Sequence, residues 1–208
     1  MTRADAARNR RRLVDAARRV FERDGYVAAR ITDISAAAGV AHGSFYSHFT
    51  DKADVLAAVL EDVGEEMLHP GPDPGPASPH DDPAGVVAGI EAANRAYLTA
   101  YRRNAGLMAM LEQLSTTDDA FRALRLRRTR AFVTRNARFI RRLQERGLAD
   151  PDLDPELAAT ALSAMVSRTA YVMFTTGRPV ALDRAVHTLT RLWVNALRIE
   201  PGAPPAAR

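Results

Sequence analysis

The chain has 208 residues, 47% hydrophobic and 26% charged, which is enough to bury a core and to build one small domain plus a larger one. Its 29 Lys and Arg against 25 Asp and Glu leave a net charge of only +4, so any anionic partner must be met by a local cluster of arginines rather than by bulk charge. The absence of cysteine excludes a disulfide framework, a thiolate nucleophile and a cysteine zinc site, and no apolar run approaches the roughly 18 residues needed for a membrane helix.

The chain begins at Met1 with polar and alanine-rich residues, not with a charged start leading into an apolar stretch, so an unexported, cytoplasmic protein with no membrane partner is expected. From 5 to 24, Leu13, Ala16, Ala17, Val20 and Phe21 recur at helical spacing and predict an amphipathic helix that Gly25 ends. Arg8, Arg10, Arg11 and Arg12 lie off that stripe, either as a solvated helix start or as phosphate contacts.

The stretch 31–52, ITDISAAAGVAHGSFYSHFTDK, carries the most information. Ile34, Ala37 and Ala38 give a short helix one apolar face, and Gly39 supplies the positive φ that closes it at least cost. A second short helix is predicted over 42–49, with Phe45 and Phe49 inward and Ser44, Tyr46, Ser47 and His48 on other faces. Two short helices joined by a glycine turn form the helix-turn-helix pattern, whose second helix enters the DNA major groove. Thr50 or Asp51 then caps a fourth helix with Val55, Leu56, Val59, Leu60 and Val63 on its apolar face.

The segment 69–83 holds six prolines and two glycines and reads as a linker, in which His69 and His80 are solvated side chains rather than metal ligands. Beyond it, helices are predicted over 84–103, 105–114, 118–146 with Asp118 as cap and Gly147 as stop, 156–176 and 182–199. The segment 156–176 is apolar on nearly all sides, which predicts burial all round. The tail 200–208 is expected to be disordered. The resulting fold class is all-α, with about nine helices. Its expected domains are a helix-turn-helix domain over 1–63, a connecting helix end and linker over 64–83, and a larger helical domain over 84–199.

The pattern A-A-G-V-x-x-G-x-F-Y-x-H-F-x-x-K, followed by an amphipathic helix, resembles the amino-terminal domain of tetracycline-repressor-type (TetR-type) transcriptional regulators over 13–60. The resemblance implies a protein that binds double-stranded operator DNA and is not an enzyme. It implies phosphate contacts at Tyr46, His48 and Lys52, and close backbone approach at Gly43. Base reading would fall to Thr32, His42, Ser44 and Ser47, whose side chains reach groove edges directly or through water.

Two departures weaken the helix starts: Arg30 and Ala41-His42 stand where the family has capping residues. Each loss is worth about 0.5–2 kcal/mol, and Arg30 is a candidate phosphate contact instead. The later helices resemble, more loosely, a ligand-binding and dimerisation domain. That implies a homodimer through 156–176 and 182–199, against the alternative of one central helix in a monomer. It also implies a small-molecule effector among Tyr97, Tyr101, Met108, Met110, Phe132, Asn136, Arg168 and Tyr171. Arg168, in an apolar helix, would need an acidic residue, a helix end or an anionic ligand as partner if buried.

No cofactor or metal site is expected. The alternatives are a DNA-binding regulator without a small ligand, controlled by a protein partner or by abundance, and an all-helical enzyme. The enzyme reading lacks a glycine-rich phosphate loop and a His-Glu-x-x-His motif.

Overall fold

The computed structural model describes residues 3–68 and 82–200. Among these residues the chain forms nine helices and no strand. In order they are α1 (Arg3–Ala28), α2 (Ile31–Ala38), α3 (His42–Phe45), α4 (Lys52–Leu68), α5 (Pro83–Arg103), α6 (Ala105–Leu114), α7 (Asp119–Glu145), α8 (Pro155–Phe174) and α9 (Leu182–Ala196). The linker histidines His69 and His80 and the tail 201–208 lie outside the described residues.

Helix boundaries follow local chemistry. Asp51 caps α4 by accepting from the backbone N–H of Asp54 at 2.8 Å, and Asp82 caps α5 by accepting from Gly85 at 2.7 Å. Asp118 accepts from Ala120 and Phe121, and Asp154 accepts from Leu157 at 2.7 Å behind Pro155 in the first turn of α8. Gly25 interrupts α1 where its position suggests, ending the long first segment. It kinks the helix with φ 73° and ψ 172°, and helical backbone resumes to Ala28.

The chain divides into two compact units. The first comprises 3–66 and 104–126 of the described residues. Here α1 packs on α2, α2 on α3, and α6 on α1, around fully buried Leu13, Phe21, Ile34, Phe45, Leu56 and Leu107. This division differs from the expected domains, which placed all of 84–199 together. Arg18 of α1 explains the difference in part, donating to Asn104 Oδ1 at 2.6 Å and to Glu66 at 3.4 Å. Tyr26 also meets Phe121 edge to face at 6.5 Å. An amphipathic pattern marks which face of a helix is covered but not which neighbour covers it.

The second unit comprises 67–103 and 127–200 of the described residues. In it α5 packs on α9 and on α8, and the buried side chains of the unit include Leu98, Ile140, Leu143 and Val186. The buried pair Asn94 and Thr190 joins α5 to α9, with Nδ2 donating to Oγ1 at 3.2 Å, so neither polar group is left unpaired.

Helix α8 is not buried all round in the single chain. Ala159, Leu162, Val166, Ala170 and Met173 form one buried stripe, while Leu157 is 70% exposed and Ala161, Ala164 and Arg168 also face outward. Exposed apolar surface of this kind commonly marks an interaction site.

Candidate nucleic-acid interface

Helix α2 starts without a side-chain cap, since Arg30 is extended (φ −119°, ψ 145°) and offers only its carbonyl, to Asp33 and Ile34. It ends at Gly39, whose φ of 62° and ψ of 39° let its N–H return to Ala36 at 3.0 Å. The left-handed conformation favours glycine there, and an added Cβ would also displace the Arg12 guanidinium, whose Nη2 donates to the Gly39 carbonyl and would lie 2.8 Å from it. Arg19 reaches the Ala37 carbonyl at 3.5 Å, so two α1 arginines lie against the negative end of α2. Gly39→Ala is therefore expected to lower stability by about 1–3 kcal/mol, read as a shifted midpoint in urea unfolding.

Helix α3 is shorter than the predicted 42–49. It makes one α-helical turn over His42–Phe45 and then tightens, with Ser47 bonding back to Ser44 at 3.3 Å and His48 to Phe45 at 2.9 Å. Ala41 contributes no side-chain cap, so a segment this short depends on tertiary contacts to stay helical. Phe45 and Phe49 provide them. Both are buried, their ring centroids are 5.7 Å apart, and the Arg10 guanidinium lies 5.1 Å over the Phe49 ring.

This packing leaves Arg30, Thr32, His42, Gly43, Tyr46 and Ser47 exposed and Ser44 half-buried. His42 and Tyr46 stand edge to face at 5.5 Å, and Tyr46 is 55% exposed while leaning on Phe45 at 5.4 Å. Its phenol is thus supported from beneath and open outward. Gly43 has open space where a Cβ would stand, so nothing within the described chain demands glycine there.

Two expected phosphate contacts are placed differently. All three hydrogens of the Lys52 ammonium are engaged by the carbonyls of Tyr26 (2.7 Å), Val27 (3.3 Å) and Ala29 (3.0 Å), and it lies 4.7 Å from the Tyr26 ring centroid. In the free chain Lys52 therefore ties the end of α1 to the start of α4 instead of presenting a cation. Burial, with Asp51 and Asp118 nearby, raises the pKa of the Tyr26 phenol, which keeps it neutral under that ammonium. His48 is half-buried with Nε2 enclosed and unpaired among the described residues, so a hydrogen bond to DNA would have to come from Nδ1.

The arginine cluster also separates. Arg8 approaches Asp5, Arg11 pairs with Asp15 and Asp62, Arg12 holds Gly39, and Arg10 alone of the four lies against the recognition turn. Arg10 was legible only as one member of a charge run; its place over Phe49 is a tertiary fact.

The residues expected around an effector separate too. Tyr97, Tyr101 and Phe132 gather in the second unit, with Tyr97 edge to face on Phe132 at 5.5 Å and 6.1 Å from Tyr101. Phe174, not among the expected residues, stacks on Tyr101 at 6.2 Å. Asn136 donates to Ser163 Oγ at 2.9 Å. Arg168 is exposed, its guanidinium 4.9 Å from the Tyr171 ring centroid, so it needs no buried anionic partner. Met108 and Met110 belong to the first unit.

Comparison with known proteins gives two family matches. Residues 13–59 match the model described as bacterial regulatory proteins, tetR family. Residues 88–198, more than half of the chain, match the C-terminal domain of transcriptional regulator EthR. The chain is 25% identical over 187 residues to the regulator EthR of Mycolicibacterium smegmatis, covering 89% of this chain and 84% of that protein. It is 34% identical to the regulator TtgR of Pseudomonas putida over 68 residues, spanning 33% of this chain and 32% of that protein, about a third of its length. Among solved structures it is similar in fold to SmeT, the repressor of the Stenotrophomonas maltophilia multidrug efflux pump SmeDEF. That match has TM-score 0.69, 22% identity, and coverage of 95% of this chain and 94% of that one.

Proposed function

The chain belongs to the TetR family of bacterial transcriptional regulators, and from that premise we propose that it is a dimeric repressor released from operator DNA by a small, largely hydrophobic ligand. Membership of a family of regulators, rather than any missing motif, sets the enzyme reading aside. The observation that carries the proposal is the exposed edge of Thr32, His42, Gly43, Tyr46 and Ser47 standing on the buried pair Phe45 and Phe49. Short polar side chains on a rigid apolar base are suited to a major groove, and Tyr46 is suited to phosphate.

In this proposal Ser44 and Ser47 join Thr32 and His42 in base reading, and His48 adds a backbone contact through Nδ1. Lys52 acts indirectly, by holding the base of the motif. Release by ligand requires the ligand to favour a state in which paired recognition helices no longer match successive major grooves. Such a ligand would engage the aromatic group of Tyr97, Tyr101, Phe132 and Phe174, which is mainly apolar with phenol hydroxyls for orientation. The deciding experiment is binding-site selection with the purified protein, followed by titration of the selected duplex with hydrophobic metabolites. A selection yielding no paired half-sites would overturn the proposal, and half-sites with no metabolite response would leave the regulator without the ligand.

Two substitutions test the contacts. Gly43→Ala meets no atom within the described chain and removes a helix-disfavouring residue, so stability should hold or rise by up to about 1 kcal/mol. DNA affinity should nevertheless fall about tenfold, roughly 1.4 kcal/mol, because the added methyl blocks close backbone approach. Equal affinity by fluorescence anisotropy would show that the duplex does not come close at this glycine. Arg30→Ala should weaken binding to all sequences alike and reduce the salt slope by about one phosphate contact. An unchanged slope would remove Arg30 from the interface.

A further inference from the structure

Helix α7 carries nine arginines between 122 and 144 and no Asp or Glu in that span. Most of this charge could be an ordinary solvated face, but one part of it is organised. Arg130, Arg135 and Arg138 line an open groove of about 450 Å³ whose remaining lining includes Leu68, Ala131 and Thr134. Arg130 and Arg138 are exposed and have no carboxylate within ion-pair distance among the described residues.

Arg135 is the unusual member. It is partly buried, donates through Nη1 to the carbonyl of Leu68, and holds its guanidinium 5.4 Å from the Phe132 ring centroid. A carbonyl and a ring are weak compensation for a desolvated cation, and no carboxylate among the described residues pairs with it. Consistent with this, burial alone pulls its pKa down. The groove therefore combines an under-compensated guanidinium, two guanidinium groups with no carboxylate partner among the described residues, a hydroxyl donor and an apolar floor.

We propose that this groove binds a small polyphosphate, a ligand bearing two or more linked phosphates on an organic body, as in a nucleoside triphosphate. Arginine forks match phosphate oxygens bidentately, and Thr134 can add a hydroxyl donor. Arg130 and Arg138 stand eight residues apart, about 12 Å of helix rise, which suits a chain of linked anions better than a single one. Leu68, Ala131 and the arginine stems provide apolar surface for the attached body. The site lies within the second unit and does not depend on the helix-turn-helix reading.

The test is calorimetric titration of the full-length protein with tripolyphosphate and, separately, with orthophosphate. Arg130→Ala/Arg138→Ala removes two exposed side chains and should fold normally by circular dichroism. It should bind tripolyphosphate at least tenfold more weakly. Arg141→Ala/Arg142→Ala removes the same charge from the same helix outside the groove and should change binding less than twofold. Orthophosphate should bind the unsubstituted protein at least tenfold more weakly than tripolyphosphate. No tripolyphosphate binding, equal losses in the two double variants, or equal affinity for orthophosphate would each overturn the site. If only non-operator duplex DNA loses affinity in the first variant, the arginine row is a nucleic-acid face and the polyphosphate proposal fails.

Discussion

Ala164→Glu is expected to yield a folded monomer that no longer holds operator DNA. Ala164 lies on the outward face of α8, with Ala161 and Leu157 about one and two turns before it, and among the described residues this face has no cover. Helix α9 presents Leu192, 44% exposed, on its own outward side. Alanines on such a face let a second helix come close, and a two-fold pairing of α8 and α9 would bury the patch in a four-helix arrangement. A carboxylate placed there would be desolvated beside its own symmetry copy, which is costly even when partly relieved by protonation.

The fold of the single chain should be untouched, because the substituted side chain faces solvent in it. The DNA effect follows from avidity. Two linked reading heads bind a two-half-site operator about 10²–10⁴ times more tightly than one, and that factor should be lost. Sedimentation velocity reads the oligomeric state, and anisotropy on operator and on a single half-site reads the avidity. A dimer that survives the substitution would mean that the exposed face of α8 is covered in some other way.

What was legible in the sequence divides along a physical line. Asp51, Asp118 and Gly39 act on backbone groups within a turn of themselves, so their positions alone predicted the helix ends they make. The outward face of the recognition segment was legible in part for the same reason: Phe45 and Phe49 set the inward direction, and period put Ser44, Tyr46, Ser47 and His48 on other faces, of which Tyr46 and Ser47 are exposed and Ser44 and His48 half-buried. Side chains long enough to reach a neighbour were not legible. Lys52 finds three carbonyls at the end of α1, Arg168 bends over Tyr171, and Arg10 settles over Phe49. Each choice depends on what stands across from it, which a one-dimensional pattern does not encode.

The same line accounts for α8 and for α6. All-round apolarity predicted cover on every side of α8 and did not separate the buried stripe of Ala159, Leu162, Val166, Ala170 and Met173 from the exposed face. The amphipathic face of α6 did not reveal that α1 is its neighbour, a choice marked by the buried Asn104 meeting Arg18.

Phe45→Ala should be the most damaging single change in the reading head. Phe45 is completely buried, touches Phe49 and Tyr46, and is the one buried residue within α3. Truncating a buried phenylalanine costs about 3–5 kcal/mol through lost transfer energy and the cavity left behind. Here the loss falls on an element with little strength of its own. Helix α3 is four residues long, its N-cap Ala41 supplies no side-chain bond, and no acidic residue sits in its first turn. Its geometry is thus maintained by the ring beneath it, and Tyr46 loses its 5.4 Å support at the same time.

The expected result is a drop in stability of the first unit together with loss of sequence-specific DNA binding, while the second unit, whose core contains none of these rings, unfolds as before. Hydrogen exchange separates the two: amides of α2 and α3 should exchange faster, and those of α5 and α9 should not. Phe45→Leu keeps most of the volume and should restore much of the protection while giving Tyr46 a poorer floor. Its stability should therefore recover further than its affinity does. Parallel recovery of both would mean that the ring matters for packing alone and not for the pose of Tyr46.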